Sequence, residues 1–407
     1  MRLNPAPLLG WAAALWCTAS AGAAPTVDGS LGGDNAFYGP ALSVQNTNTQ
    51  YGNATNGDPR FANGGSEINA VYSAVVGDRL HVLITGNLES NYNKLSVFID
   101  SEPGGMNRID GGNAPAGVDP FCCPPDQDGA EALQELDGLR FDAGFAADHF
   151  FGFSNGDEFI NATRTNTYSF SAYYGDLTAG PDGRVSAMGF QRSAGGVEPG
   201  LDQGEPIDSV NNACTGDGDL SCTPNAHLFA EQRDLLNDID FRMAINNSNT
   251  QGVDAGTGPA TGNPADVQTG IEFSIPLAVI GSPTDDLRLT AFIGNSQYNH
   301  LSNQFSGVGV LRGNLGGPIS AVNLAAIAGE QFVTVPHSSQ AGDFGYDGVV
   351  DLADYTLWRD GLGTDYDLAG YETWSAALAG QAAVAVPEPA AATAFVLVAM
   401  AVQGRRG

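Results

Sequence analysis

From Thr26 to about Val335 the chain is a succession of short runs of β-branched and aromatic residues, each cut off by a cluster of Gly, Asn, Asp or Pro. This punctuation constrains the fold most, because such runs are long enough for strands and too short for packed helices. Strands are predicted at Ile68 to Val76, Leu80 to Thr85, Leu95 to Asp100, Thr167 to Tyr174, Ile271 to Ile275 and Leu287 to Ile293. Leu80, Val82 and Ile84 alternate with His81 and Leu83, and Leu95, Val97 and Ile99 alternate with Ser96, Phe98 and Asp100. Alternation of this kind predicts one buried and one less buried sheet face. Residues 46–65 and 100–119, rich in Gly, Asn and Asp, read as long surface loops. Asp126 to Leu139 and Ala226 to Asp238 carry enough Ala, Glu and Leu for short helices. The economical fold class is all-β, with one large β-sandwich over residues 24–336.

Both ends of the chain read as addresses. Arg2, the apolar run Pro7 to Trp16 and the small residues Ala19-Ser20-Ala21-Gly22-Ala23 have the layout of a signal peptide over 1–23, cut after Ala23. The apolar run is shorter than the roughly 20 residues needed to cross a bilayer. Trp16 directly before Cys17 speaks against lipidation. The net charge of -30 repels phosphate backbones and so argues against nucleic-acid partners, while suiting divalent cations or a plain solvated exterior. Lys94 is the sole lysine. After processing four cysteines remain, Cys122, Cys123, Cys214 and Cys222. In an exported chain an even count favours disulfides, and strain between neighbours points to Cys122 or Cys123 pairing with Cys214 or Cys222.

The order of four segments carries a resemblance: Thr26 to Leu31, Asn69 to Tyr72 with Arg79 to Ile84, Leu95 to Asp100 and Gly270 to Leu277. It is similar to DOMON-like sandwiches, which include the family 9 carbohydrate-binding modules. The resemblance implies a sandwich and extracellular polysaccharide as a ligand class. Sugar readers of that family hold their ligand between tryptophans, yet Trp11, Trp16, Trp358 and Trp374 all lie outside the central domain. Tyr173 and Tyr174, or Phe150, Phe151 and Phe153, are left as either a stacking platform or core.

After a polar linker, 337–342, comes Asp343-Phe344-Gly345-Tyr346-Asp347-Gly348-Val349-Val350-Asp351-Leu352-Ala353-Asp354. Carboxylates at positions 1, 5, 9 and 12, glycine at 6 and an aliphatic residue at 8 resemble a dockerin-type EF-hand loop, which would bind one calcium ion. The ligands so implied are Asp343, Asp347 and Asp354, with the Val349 carbonyl and Asp351, the latter through water. Gly345 stands where this family usually has Asn or Asp, so one side-chain oxygen is missing. The alternative reading is acidic helix-start chemistry. Leu352, Tyr355, Trp358 and Leu362 fall at helical spacing, and Tyr371, Trp374 and Leu378 repeat the pattern. Only Gly363 to Ala369 separates them, too little for a second loop. Residues 343–380 thus resemble a truncated dockerin, whose relatives dock onto cohesins. The aromatic stripes suit either a two-helix core or a partner surface.

Pro387-Glu388-Pro389, the apolar Ala390 to Val402 and the basic pair Arg405-Arg406 follow in order. Residues 386–407 resemble a PEP-CTERM sorting signal. That implies reading by an exosortase-type enzyme, insertion of an apolar helix and a basic end kept in the cytoplasm. An apolar stretch this short suits a transient membrane anchor, and so retention at the cell envelope or outer surface. Gly152-Phe153-Ser154-Asn155-Gly156, with His149 and Asp157 nearby, fits the nucleophile-elbow pattern. An elbow needs a strand-to-helix turn, which this β-rich context does not offer. The expectation is therefore a non-enzymatic protein, a secreted glycan-active enzyme or a structural matrix protein being the alternatives.

Overall fold

The computed structural model describes residues 25–51, 66–89, 91–119, 131–159, 166–193, 240–249, 251–311, 313–337, 342, 344, 350–362 and 368–380. The chain divides into two units, Met1–Ser339 and Gln340–Gly407. The first is mostly β. Its strands are β1 (Ser43–Val44), β2 (Glu67–Val76), β3 (Arg79–Asn87), β4 (Asn91–Asp100), β5 (His149–Phe159), β6 (Asn166–Asp176), β7 (Val185–Ser193), β8 (Arg242–Ile245), β9 (Gly270–Pro276), β10 (Leu287–Gly294), β11 (Leu301–Phe305) and β12 (Val333–Val335). Among the described residues two short α-helices, α1 (Asn35–Tyr38) and α2 (Ala132–Glu135), interrupt them. One sheet has five strands in the order β1-β2-β3-β9-β8. The other has seven, in the order β11-β10-β4-β5-β6-β7 with β12 also on β10.

All six predicted strands form. The β2–β3 hairpin turns on Gly77 and Asp78, with Gly77 at φ +59 in open space, so glycine is there for its backbone freedom. Rings from both sheets meet in one core: Phe273 of β9 lies 5.6 Å from Phe151 and 5.2 Å from Phe153 of β5. Phe241, just before β8, stacks on Phe151 at 5.6 Å.

The second faces of the central strands are buried too, against the expectation from alternation. His81 and Leu83 of β3, and Ser96 and Phe98 of β4, are as inaccessible as their apolar neighbours. The cause is that both outer faces are covered by distant parts of the chain. Leu31, Phe37 and Tyr38 of the N-terminal segment pack on Ala70, Tyr72 and Leu83. Apolar residues of 109–118 and 132–145, with Ile319 to Phe332, pack over Phe98, Phe150 and Phe292. The stretch 100–119, expected as a surface loop, contributes Ile109, Ala114 and Val118 to that cover.

In the second unit, α3 (Leu352–Asp360) and α4 (Leu368–Gly380) pack through the repeated aromatics. Tyr355 lies 5.0 Å from Trp374, and Trp358 lies 5.2 Å from Tyr371. Both tryptophans are buried, whereas Leu352, Leu362, Leu368 and Tyr371 are exposed. Helices this short are marginal alone, and this ring cluster supplies the burial they need. Neither helix is long and apolar enough to cross a membrane.

Candidate functional site

Helix α3 starts on a reciprocal pair of acids. Asp351 is its N-cap, with Oδ1 accepting from the Ala353 N–H at 2.6 Å, and Asp354 Oδ2 accepts from the Asp351 N–H at 2.7 Å. The two bonds satisfy backbone donors that a helix start leaves unpaired, and both charges suit the positive end of the helix dipole. The Trp374 indole N–H donates to the Asp351 carbonyl at 2.6 Å. Gly342, at φ +92, passes so close to the same tryptophan that a Cβ there would fall 2.6 Å from Trp374 Cα. Trp374 therefore meets the residue just before Asp343 and the residue just after Val350. Val350 itself is buried.

Of the five residues implied as calcium ligands, Asp351 and Asp354 are brought together at this helix start. Asp343, Asp347 and Val349 lie outside the described residues. Each capping bond engages one oxygen of its carboxylate, and carboxylate oxygens are the donors a hard cation takes. Helix-start chemistry by itself also accounts for both acids. Among the described residues no three His, Cys, Asp or Glu side chains converge as a metal site. The signal peptide, the helix expected at Ala226 to Asp238, Cys122, Cys123, Cys214, Cys222 and the sorting residues Pro387, Glu388, Pro389, Arg405 and Arg406 all lie outside the described residues.

The rings considered as a sugar platform are core. Phe150, Phe151, Phe153, Tyr173 and Tyr174 are all buried, split between the two sides of the larger sheet. The Gly-x-Ser-x-Gly pattern runs inside β5 with Ser154 buried, so no strand-to-helix turn raises the hydroxyl.

A histidine and two carboxylates are buried in the first unit, and of these the sequence pattern singles out only His149. His149 Nδ1 lies 3.1 Å from the Tyr174 hydroxyl, and Nε2 lies 3.6 Å from Glu102 Oε1. Burial pushes the imidazole down to about 4, partly countered by Asp176. Next to it, Asp148 Oδ2 accepts from the N–H groups of Ser101 and Glu102, both at 2.8 Å. Burial nevertheless pushes this carboxyl up to about 6. Glu67 Oε1 accepts from the Asn69 and Asn249 amides at 2.7 and 2.8 Å, and burial raises its carboxyl well above the usual range. Spacing offers no sign of these contacts, since all the partners but Asn69 come from remote segments. The available clue is a carboxylate or imidazole inside an apolar strand run.

No protein-family model, curated protein or solved structure matches the chain.

Proposed function

We propose that this chain is an exported, non-enzymatic protein sorted to the cell surface. Its two sheets form a β-sandwich, and its second unit is a truncated dockerin-like module that closes around one calcium ion. The observation that carries the reading is Trp374: its contacts at Gly342 and Asp351 hold together the two ends of the acidic segment 343–350. A cation loop needs that closure, because six or more oxygens must converge from a short stretch of chain. Asp343, Asp347, Asp351, Asp354 and the Val349 carbonyl are the donors proposed.

The order of Pro387-Glu388-Pro389, apolar run and Arg405-Arg406 supports processing by an exosortase-type enzyme after a transient anchoring step. Exposed Leu352, Leu362, Leu368 and Tyr371 give the module apolar area for a cohesin-like partner. For the sheet unit, the order of its strand motifs supports extracellular polysaccharide as ligand.

Titration calorimetry of the full chain with calcium is the test, run beside Asp347→Ala. Heat from the parent chain that the variant lacks is expected; no heat from the parent removes the ion. On the same protein, glycan arrays and chromogenic glycosides separate binding from catalysis. Retention without turnover is expected, and turnover would sink the non-enzymatic reading.

A further inference from the structure

Lys94, the only lysine of the chain, is not at the surface. It sits in β4 on the covered outer side of the larger sheet, with its side chain 3% exposed, and Nζ lies 2.8 Å from Oδ2 of Asp119, itself 2% exposed. The rings of Tyr173 and Tyr298 flank Nζ, with centroids at 5.4 and 5.6 Å. The Tyr298 hydroxyl donates to the same Oδ2 at 2.6 Å. Room for that hydroxyl comes from Gly152 on the neighbouring strand, where a Cβ would fall 2.7 Å from it. Asp119 is held in the left-handed region at φ 46, a conformation Asp tolerates better than most residues.

In water an amine and a carboxyl remain ammonium and carboxylate, and neither form reacts with the other. Inside an apolar layer the charged pair loses its hydration, and a single proton passed across the 2.8 Å contact converts it to amine and carboxylic acid. The two groups are then neutral, in contact and unable to diffuse apart, the arrangement that makes an intramolecular reaction efficient.

We infer that Lys94 Nζ and Asp119 Cγ become joined by an amide bond that the folded chain forms by itself, with release of one water. The ammonium first gives a proton to Oδ2. The Nζ lone pair then adds to Cγ while the carbonyl electron pair moves onto Oδ1. When that pair returns, the Cγ–Oδ2 bond breaks, and Oδ2 leaves as water carrying the first proton and a second one from Nζ. Nζ keeps its third hydrogen as the amide N–H. No oxidant, reductant or co-reactant enters, and charge is conserved. Tyr298 supports the departure of Oδ2 by hydrogen bonding to it; burial and the neighbouring carboxylate raise its hydroxyl well above the usual range, so it remains a donor. The product ties the end of the covering segment covalently to the middle of the sheet.

Mass spectrometry of the full chain, purified, reduced and denatured, tests this directly. Expected is a deficit of one water, mapped by proteolysis to a branched peptide containing Lys94 and Asp119. The denatured chain then presents only its α-amino group to an amine reagent. Lys94→Arg should restore the full mass. Asp119→Asn should still cross-link, now by loss of ammonia. Tyr298→Phe should slow the reaction by about 100-fold, the lower end of proton-donor assistance. A parent chain of full mass with Lys94 reactive, in a preparation whose circular dichroism shows the β fold, overturns the inference, and so does a water deficit mapped to any other pair.

Discussion

The Tyr38 hydroxyl donates to Glu272 Oε1 at 2.7 Å, while the N–H groups of Asp28 and Gly29 donate to Oε2 at 2.9 and 2.8 Å. One buried carboxylate of β9 thus collects the N-terminal segment onto the outer face of the smaller sheet. Tyr38→Phe keeps the ring but leaves Oε1 without this donor. The expected loss is about 1–3 kcal/mol of unfolding free energy, read from the midpoint of urea denaturation. If the midpoint is unchanged, this carboxylate does not hold the segment.

Glu272 also sets a pH dependence. Burial pushes its carboxyl up to about 7, with the bonds from Tyr38, Asp28 and Gly29 pulling the other way. The folded value exceeds the unfolded one near 4.5, so the native state holds the proton more tightly. The stability this contributes is complete below about 4.5 and is lost as pH rises through about 7. Asp148 acts with the same sign up to about 6. Glu272→Gln should lower stability at pH 5, since one side-chain oxygen must replace two, and should flatten the decline between pH 5 and 7. Melting temperatures across that range check both features.

The buried His81 and His149 have the opposite effect. Burial, with Arg79 and Arg242 nearby, pushes His81 down to about 3, and burial pushes His149 down to about 4. Unfolded histidine takes its proton near 6.5, so each site costs stability as pH falls from there through its folded value. His81 packs edge-on against Phe37 at 5.3 Å, beneath the N-terminal cover. His81→Leu should remove part of the acid-side loss while leaving the melting temperature at pH 8 little changed. A variant as acid-sensitive as the parent would refute the assignment of that limb to His81.

Much of this architecture is legible locally, and the reason is physical. Ile68 to Val76 and Leu80 to Thr85 are apolar and β-branched, and they emerge as Glu67–Val76 and Arg79–Asn87 with a glycine turn between. Asn91 to Lys94 carry no such pattern, yet they extend β4, where Asn93 and Lys94 are buried by residues remote in sequence. Asp351 and Asp354 meet at the start of α3, since a helix start is encoded within four residues. Tyr38 and Glu272 are 234 positions apart, and Lys94 meets Asp119 through tertiary folding alone. Pairings of that kind leave no periodicity to read.

Phe273 tests how the two sheets share their core. It touches Phe151, Phe153 and Phe241, drawing on both sheets. Phe273→Ala is expected to cost about 3–5 kcal/mol in chemical denaturation, the range for an aromatic ring deleted from a packed interior. A loss below about 1 kcal/mol would mean that the cavity collapses freely, as it does at a loosely packed face.

At the start of α3, Asp351→Asn separates helix capping from ion binding. Asn caps a helix about as well as Asp, so the variant retains the bond to Ala353 and, without calcium, should leave the helical signal and unfolding midpoint of the parent in place. It removes one negative charge from the proposed ligand set. Calcium affinity depends on that charge count, so the dissociation constant should rise by about tenfold. Asp351→Ala removes both functions, and should lower calcium-free stability by about 1 kcal/mol as well as weaken binding. If Asp351→Asn binds calcium as the parent does while Asp351→Ala loses only its cap, Asp351 belongs to the helix and not to the ion.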